Sequence, residues 1–287
     1  MIIQRSTIQL LRFHFSFFLM PVYWFALSQV VHPQAGRALL IFFIIHLLLY
    51  PSSNGFNSYM DRDEGSIGGL KSPMKPTRQL WYATALMDLV AIVLGLFISL
   101  YFAMATTVYI LTSRAYSARS IRLKKYPVLG FLVVVICQGA LIFFMVYHGS
   151  HPLRSLRVPV LGMLCSSLLI GGFYPLTQIY QHRSDAQDGI KTLSASLGIR
   201  GTFIFCGITY AVAYLFLAYF MIGSLELKEF QVLSTCMLPV LVYFVMWAVQ
   251  VWRNPQKADF SHTMRMNIIA SSCTSLGFIL VFLIQYF

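Results

Sequence analysis

Two stretches of this chain constrain its fold more than anything else. Residues 38–50, ALLIFFIIHLLLY, and residues 128–147, VLGFLVVVICQGALIFFMVY, carry no Asp, Glu, Lys or Arg. A helix needs about 20 apolar residues to cross a bilayer core, and the second stretch supplies them. Only 10% of the 287 residues are charged, against about 25% in a soluble domain. The chain therefore reads as an all-α, polytopic integral membrane protein.

Hydropathy divides it into nine segments: residues 15–31, 38–57, 80–96, 98–113, 127–147, 158–174, 203–222, 231–252 and 266–287. The apolar run from 80 to 112 is too long for one span, and Gly95 near its middle marks the expected break. No long polar stretch remains, so residues 1–287 read as one transmembrane domain. Arg5 and Arg12 precede an apolar run in the manner of a signal peptide. No small-residue cleavage site follows, which makes the run a first transmembrane helix; Arg12 reads either as an orientation charge, the preferred reading, or as a residue that reaches a cavity mouth.

Charge tests this reading. With the N-terminus in the cytosol, 17 of the 21 Lys and Arg fall on the cytosolic side, as the positive-inside rule requires. The net charge of +12 is thus a topology signal. A nucleic-acid surface would gather its cations on one folded face with aromatics between them, whereas these are divided among short loops. Cys137, Cys165, Cys206, Cys236 and Cys273 each stand alone in an apolar segment and read as packing residues.

The polar residues repeat. Shifted by 124 positions, YPSSNGFNSYMDRDEG (50–65) lies without a gap over YPLTQIYQHRSDAQDG (174–189). Tyr50, Pro51, Asn54, Asn57, Asp61, Glu64 and Gly65 meet Tyr174, Pro175, Gln178, Gln181, Asp185, Asp188 and Gly189. A match of amide, amide, acid, acid and glycine implies an internal repeat of the kind known in membrane bundles. On a helix, positions i, i+3, i+7 and i+10 share a face. Asn54, Asn57, Asp61 and Glu64 then line one stripe, and Gln178, Gln181, Asp185 and Asp188 another. A pseudo-twofold axis would turn the stripes toward each other. Five of the nine acids, Asp61, Asp63, Glu64, Asp185 and Asp188, would surround one cavity mouth.

Facing carboxylates repel and need a cation. Oxygen ligands suit Mg²⁺, which holds few carboxylates and gives its other positions to water and phosphate oxygens. The segment YSARSIRLKKYP (116–127) brings Arg119, Arg122, Lys124 and Lys125 beside that platform, and Lys191 follows the second stripe. These cations match diphosphate oxygens. Asp88, in the middle of an apolar run, is an intramembrane acid that reads equally as a functional candidate and as a neutral or hydrogen-bonded packing acid.

In these residues the chain resembles the UbiA superfamily of intramembrane prenyltransferases. Members carry N-D-x-x-D-x-x-x-D after the second helix and D-x-x-x-D after the sixth. Here Asn57-Ser58-Tyr59-Met60-Asp61-Arg62-Asp63-Glu64-Gly65 and Gln181-His182-Arg183-Ser184-Asp185 occupy those places. Many members have Y-S-x-x-P-x-K-L-K between helices four and five, and Tyr116, Ser117, Arg122, Leu123 and Lys124 match it. Ser58, Gly65 and Gln181 stand where the family has Asp.

The resemblance implies nine transmembrane helices around a central cavity. It implies a polyprenyl diphosphate donor held through Mg²⁺, and a lipophilic, often aromatic, acceptor that attacks the prenyl carbon. Asn57, Asp61 and Asp185 would be catalytic. Glu64, Gln181 and Asp188 would join them at the metal. Tyr116, Arg119, Arg122, Lys124 and Lys191 would bind diphosphate. The expected location is a bacterial inner membrane, with the cavity mouth and the N-terminus in the cytosol. The rival reading within the fold is a terpene cyclase that ionises the diphosphate without an acceptor. A cation carrier is disfavoured by the basic segment and by the lack of a broken helix pair at mid-membrane.

Overall fold

The apolar runs become helices. The computed structural model describes residues 3–224 and 226–286. Nine rods follow one another there: α1 (Arg5–Ser28), α2 (Ala35–Asp61), α3 (Arg78–Ile98), α4 (Leu100–Ser117), α5 (Pro127–Ser150), α6 (Val160–Gln187), α7 (Leu193–Gly223), α8 (Leu227–Arg253) and α9 (Phe260–Tyr286). Among the described residues eight are long and apolar enough to cross a membrane. The exception is α4, whose 18 residues include Thr106, Thr107, Thr112, Ser113 and Arg114.

The break between α3 and α4 falls at Ser99 rather than at Gly95. Ser99 is extended (φ −171, ψ 161), and its side chain caps α4 by accepting from the Phe102 N–H. Gly95 stays helical and serves packing instead. A Cβ there would lie 3.2 Å from the Phe102 ring and 3.3 Å from the Ala103 Cα, so its absence lets the two rods close on each other.

Each rod packs on the next, and α9 closes against α1, so the nine form a ring. The repeat seen in the sequence extends over four rods. A shift of 124 positions carries α2 onto residues 159–185, where α6 lies. It carries the 3-10 stretch of α1, Phe13–Leu19, onto the π stretch of α5, Ile136–Leu141. Both first helices are irregular at the same register, and α9 stands outside the repeat. The π stretch of α5 has a visible partner. Gly139 sits against the Ser167 backbone, where a Cβ would collide, and Ser167 Oγ accepts from the Ala140 N–H at 3.1 Å. That bond serves a backbone group in the irregular ladder, as such a break in a membrane helix demands.

One end of the ring's interior is plugged. Phe25 of α1 stacks on Phe278 of α9 at 4.6 Å and meets Phe143 of α5 edge-on at 5.1 Å. All three are fully buried. At the other end the connections converge. Arg119 Nε donates to the Met60 carbonyl at 2.8 Å, and Gln181 Nε2 to the Ser66 carbonyl at 3.2 Å. The segment 62–77 folds back over the interior there. Ile67 and Leu70 pair as an isolated bridge, and Ile67 packs with Leu10, Leu11 and Leu80. On the outside Phe97, Leu100, Leu215 and Tyr219 are exposed, a surface suited to lipid. The chain is an integral membrane protein with an interior closed at one end and polar at the other.

Candidate active site

The polar end opens into a cavity of about 280 Å³. Asn57 and Asp61 reach it from α2, Tyr116 from α4, Gln178, Gln181 and Asp185 from α6, and Lys124 from the segment between α4 and α5. Farther in, Val134, Cys137, Leu169 and Phe173 line it. The arrangement is a charged mouth over an apolar interior.

Lys124 arrives there because of its local backbone. Ser117 ends α4, Arg122 turns left-handed (φ 52), and Leu123–Lys125 form a 3-10 turn. Gly130 lets that turn lie on α5, since a Cβ would come within 3.1 Å of the Lys124 Cα. The result is a lysine only 8% exposed, whose Nζ donates to Oδ2 of Asp61, itself 9% exposed. Arg122 lies 3.8 Å from Asp61 and 3.8 Å from Asp188. Asn57 Oδ1 accepts from Ser117 Oγ at 2.8 Å. The Tyr116 and Tyr174 hydroxyls are 2.5 Å apart, and Gln178 Nε2 donates to that of Tyr174 at 2.8 Å.

The first expected stripe is shorter than its sequence suggests. Arg62 adopts a left-handed conformation (φ 57) and ends α2 at Asp61. Glu64 therefore leaves the helical face and stands exposed, outside the cavity lining. Asp63, off the stripe in the sequence, does line the cavity. Burial, and then repulsion from Asp61, push its carboxyl up to about 6, with Lys124 and Arg12 pulling the other way. In the second stripe Asp185 lines the cavity, while Asp188 is exposed at the rim. Lys191 and Arg119 are exposed and lie outside the lining, and the Arg119 guanidinium is committed to the Met60 carbonyl.

Two charges, Arg12 and Arg114, differ from the preferred sequence reading, and Asp88 takes the packing alternative of its two. Arg12 is no orientation charge at a membrane surface: it is 6% exposed and lines the cavity. Its guanidinium donates to the carbonyls of Asn54 at 3.1 Å and Gly68 at 3.2 Å. Arg114, expected in a loop, lies inside α4, where it pairs with Asp88 and stacks over the Phe56 ring at 3.9 Å. Asp88 also accepts from Ser52 Oγ at 2.5 Å and does not line the cavity. This intramembrane acid thus fastens α3 to α2 and α4. A lone arginine and a lone aspartate, each in an otherwise apolar run, were the only signals the sequence offered for either placement.

The oxygen set fits Mg²⁺ of one kind only. Among the described residues no three His, Cys, Asp or Glu gather closely enough to cage a metal. Yet Asp61 Oδ1 is buried without a hydrogen-bond partner, with Asn57, Asp63 and Asp185 around the same cavity. Mg²⁺ is typically held by one or two carboxylates, with phosphate oxygens and water completing its shell. A partial platform of this kind is what such an ion uses.

The description "UbiA prenyltransferase family" belongs to a family model that matches residues 16–269. Among solved structures, a UbiA homolog from Archaeoglobus fulgidus bound to DMAPP and Mg²⁺ is similar at 20% identity, TM-score 0.70, over 96% of this chain and 99% of that one. An apo UbiA homolog from Aeropyrum pernix K1 is similar at 16% identity, TM-score 0.67, over 93% and 97%. A structure of digeranylgeranylglyceryl phosphate synthase is similar at 17% identity, TM-score 0.63, over 97% and 98%. No curated protein matches the sequence.

Proposed function

The chain belongs to the UbiA prenyltransferase family, and from that premise we propose that it moves a prenyl group from a polyprenyl diphosphate to a lipophilic acceptor inside the membrane. The observation that carries the reading is the junction of carboxylates from both repeats with a buried lysine at the mouth of a cavity that Val134, Leu169 and Phe173 line farther in. A ligand with an anionic head and a long hydrocarbon tail matches that polarity in both parts.

In this reading Asn57, Asp61 and Asp185 would hold Mg²⁺ at the mouth, with Asp63 beside them. The Archaeoglobus homolog's structures with Mg²⁺ and DMAPP or GPP support that choice of ion and donor class. Bound Mg²⁺ would neutralise charge on the diphosphate as it leaves. Lys124 turns from Asp61 toward the diphosphate, and Arg122 approaches from the rim. Tyr116, already hydrogen-bonded through its hydroxyl to Tyr174, donates to an oxygen of the same head group. The allylic C–O bond breaks and its electron pair departs with the diphosphate. The acceptor forms the new bond to that carbon and gives up a proton. The apolar walls below keep water from the electron-poor prenyl fragment.

We further propose that the mouth faces the cytosol, because the basic residues are concentrated at that end. Cysteines placed at Lys71 and Lys125 should escape an impermeant thiol reagent in intact cells, and one at Arg154 should react. Labelling of either of the first two from outside would reverse the orientation.

The chemistry is tested by incubating purified protein with Mg²⁺ and C10 to C20 prenyl diphosphates, with and without lipophilic phenols. A prenylated acceptor is expected, only with Mg²⁺. A hydrocarbon or terpene alcohol made without acceptor would replace this reading with a cyclase. No turnover of any donor would remove it.

A further inference from the structure

We propose that the end of the bundle opposite the mouth holds one anionic phospholipid, with its phosphodiester head on Arg154 and Arg37 and an acyl chain in the groove where α3 gives way to α4. This site lies apart from the polar cavity and does not depend on the prenyl-transfer reading.

The groove follows from the break at Ser99. One extended residue separates two helices there, and Leu96, Phe97, Leu100 and Tyr101 line the cleft between them. All four are more than half exposed, so the cleft opens to lipid. The end of α5 backs it. Gly149 permits that approach, since a Cβ would lie 2.6 Å from the Ile41 side chain and 3.2 Å from that of Ile98. The neighbouring His148, only 1% exposed, ties the break to the connection that follows α5. Its Nε2 is 2.8 Å from Ser99 Oγ, and its Nδ1 is 3.1 Å from the Ser155 carbonyl. That connection, residues 151–159, brings Arg154 and Leu156 onto the same groove. The groove is thus apolar along the helices and cationic at Arg154.

Charge identifies the occupant. The His151 carbonyl accepts from Arg37 Nη2 at 2.6 Å and from the Arg154 N–H at 2.9 Å, so two arginines emerge beside one carbonyl. Among the described residues neither forms an ion pair within 4.0 Å. The segments that build this corner have no acid to offer, because residues 1–60 and 89–184 contain no Asp or Glu. With the mouth in the cytosol, this is also the side on which Lys and Arg are disfavoured. An uncompensated arginine pair there calls for an anion, and arginine binds phosphate through parallel N–H···O bonds. A soluble anion would use the two cations and leave the apolar cleft unfilled. A phospholipid uses both, with its phosphate at the level of the helix ends and a chain along Leu96, Phe97 and Leu100. A zwitterionic head would bring a cationic amine to the same place, so a net anionic head fits better.

The test uses the full chain, delipidated in a mild detergent. It is titrated with phosphatidylglycerol, with phosphatidylcholine of the same chains, and with glycerophosphoglycerol, the head group without chains. Native mass spectra report retained lipid, and thermal melts report stabilisation. Phosphatidylglycerol should be retained as a single copy, bind about 10–30-fold more tightly than phosphatidylcholine and raise the melting temperature. The head group alone should leave the melting temperature where it was. Arg154→Gln removes an exposed guanidinium that has no ion pair. It should weaken phosphatidylglycerol about fivefold without moving the lipid-free melt. Arg37 also bridges the His151 and Pro152 carbonyls, so Arg37→Gln is compared with its own lipid-free melt and should show a similar loss. Lys228→Gln, an exposed cation outside the groove, should bind the lipid as the parent does.

Equal affinity for the two lipids would overturn the inference. So would an Arg154→Gln protein that keeps the full preference for phosphatidylglycerol. Stabilisation by the head group alone would replace the lipid with a soluble anion, and an equal loss in Lys228→Gln would reduce the effect to the charge of the whole face. Either result would also overturn it. None of these measurements reads turnover of a prenyl diphosphate, so a failure of the catalytic reading leaves them unaffected.

Discussion

Residues 50–61 run as regular α-helix, and Arg62 then turns the chain left-handed. Their counterparts wind as 3-10 helix from Tyr174 to Gln181 before a last α stretch to Gln187. The two windings differ by about 20° per residue, so one polar pattern is presented differently in each half. Gln178 and Gln181 still line the cavity with Asp185, as Asn54 and Asn57 do with Asp61, and Asp188 passes to the rim. In the first half Asp61 is the last helical acid and is buried. The segment 118–126 widens the difference, because shifting it by 124 positions lands inside α8 and finds no second copy. Its Lys124 pairs with Asp61, whereas Asp185 has no ion pair among the described residues. Duplication supplied two acids, and a single unduplicated turn decided which of them carries a counter-charge.

The largest effect tests the pair directly. Asp61→Asn and Asp185→Asn should each abolish turnover, since each removes a carboxylate from the platform. Their stabilities should differ. Asp61→Asn leaves the buried Lys124 without its partner and should destabilise the fold by about 3 kcal/mol. Asp185→Asn removes a half-buried carboxylate that has no ion pair and should cost under about 1 kcal/mol. Thermal melts in one detergent read the difference, and equal melting shifts would break the asymmetry.

Next in size is the donor head group. Lys124→Ala should raise the donor KM about tenfold or more while leaving kcat less affected. Lys191→Ala and Arg119→Ala, exposed and outside the lining, should shift it by less than about twofold. A Lys191 effect as large as that of Lys124 would mean that the second half closes over the substrate and supplies its own cation.

Gln181→Asp restores the acid that the resemblance expects in the second half. Gln181 lines the cavity and donates to the Ser66 carbonyl and the Tyr180 hydroxyl, both at 3.2 Å. If it faces the metal, activity should saturate at an Mg²⁺ concentration about 3–10-fold lower. The change also removes a donor from the segment 62–77, so a melt must accompany the titration. Unchanged metal dependence in a well-folded variant would leave the second half with Asp185 alone.

The sequence was most legible where a physical constraint acts on whole segments. Apolar runs of bilayer length revealed the rods. The amide–acid repeat marked Asn57, Asp61, Gln181 and Asp185, all of which line one cavity. It was least legible where one residue changes the backbone. The left-handed turn at Arg62, which removes Glu64, has no glycine or proline to announce it. The 3-10 winding after Pro175 depends on packing against α7 and α9. Buried charges were misread for a related reason. Arg12 and Arg114 look alike in sequence as cations near segment ends, and only the fold sends one into the cavity and the other to Asp88.

The smallest effect concerns the last mismatch between the halves, Asp63 against the exposed Gln187 at the equivalent place. Burial and Asp61 push the Asp63 carboxyl from an ordinary 3.8 up to about 6. The folded protein therefore binds more protons than the unfolded chain between those values. Stability attributable to this residue is highest below that window and declines as pH rises through it. Asp63→Asn cannot ionise and should escape the decline. Its melting temperature should match that of the parent near pH 4 and exceed it slightly by pH 7. Adding Mg²⁺ with a non-hydrolysable diphosphate should shrink the gap, because a nearby cation favours the ionised carboxylate. A gap that ignores pH would mean that Asp63 titrates as an exposed acid does, and the first half would then offer the ion Asp61 alone.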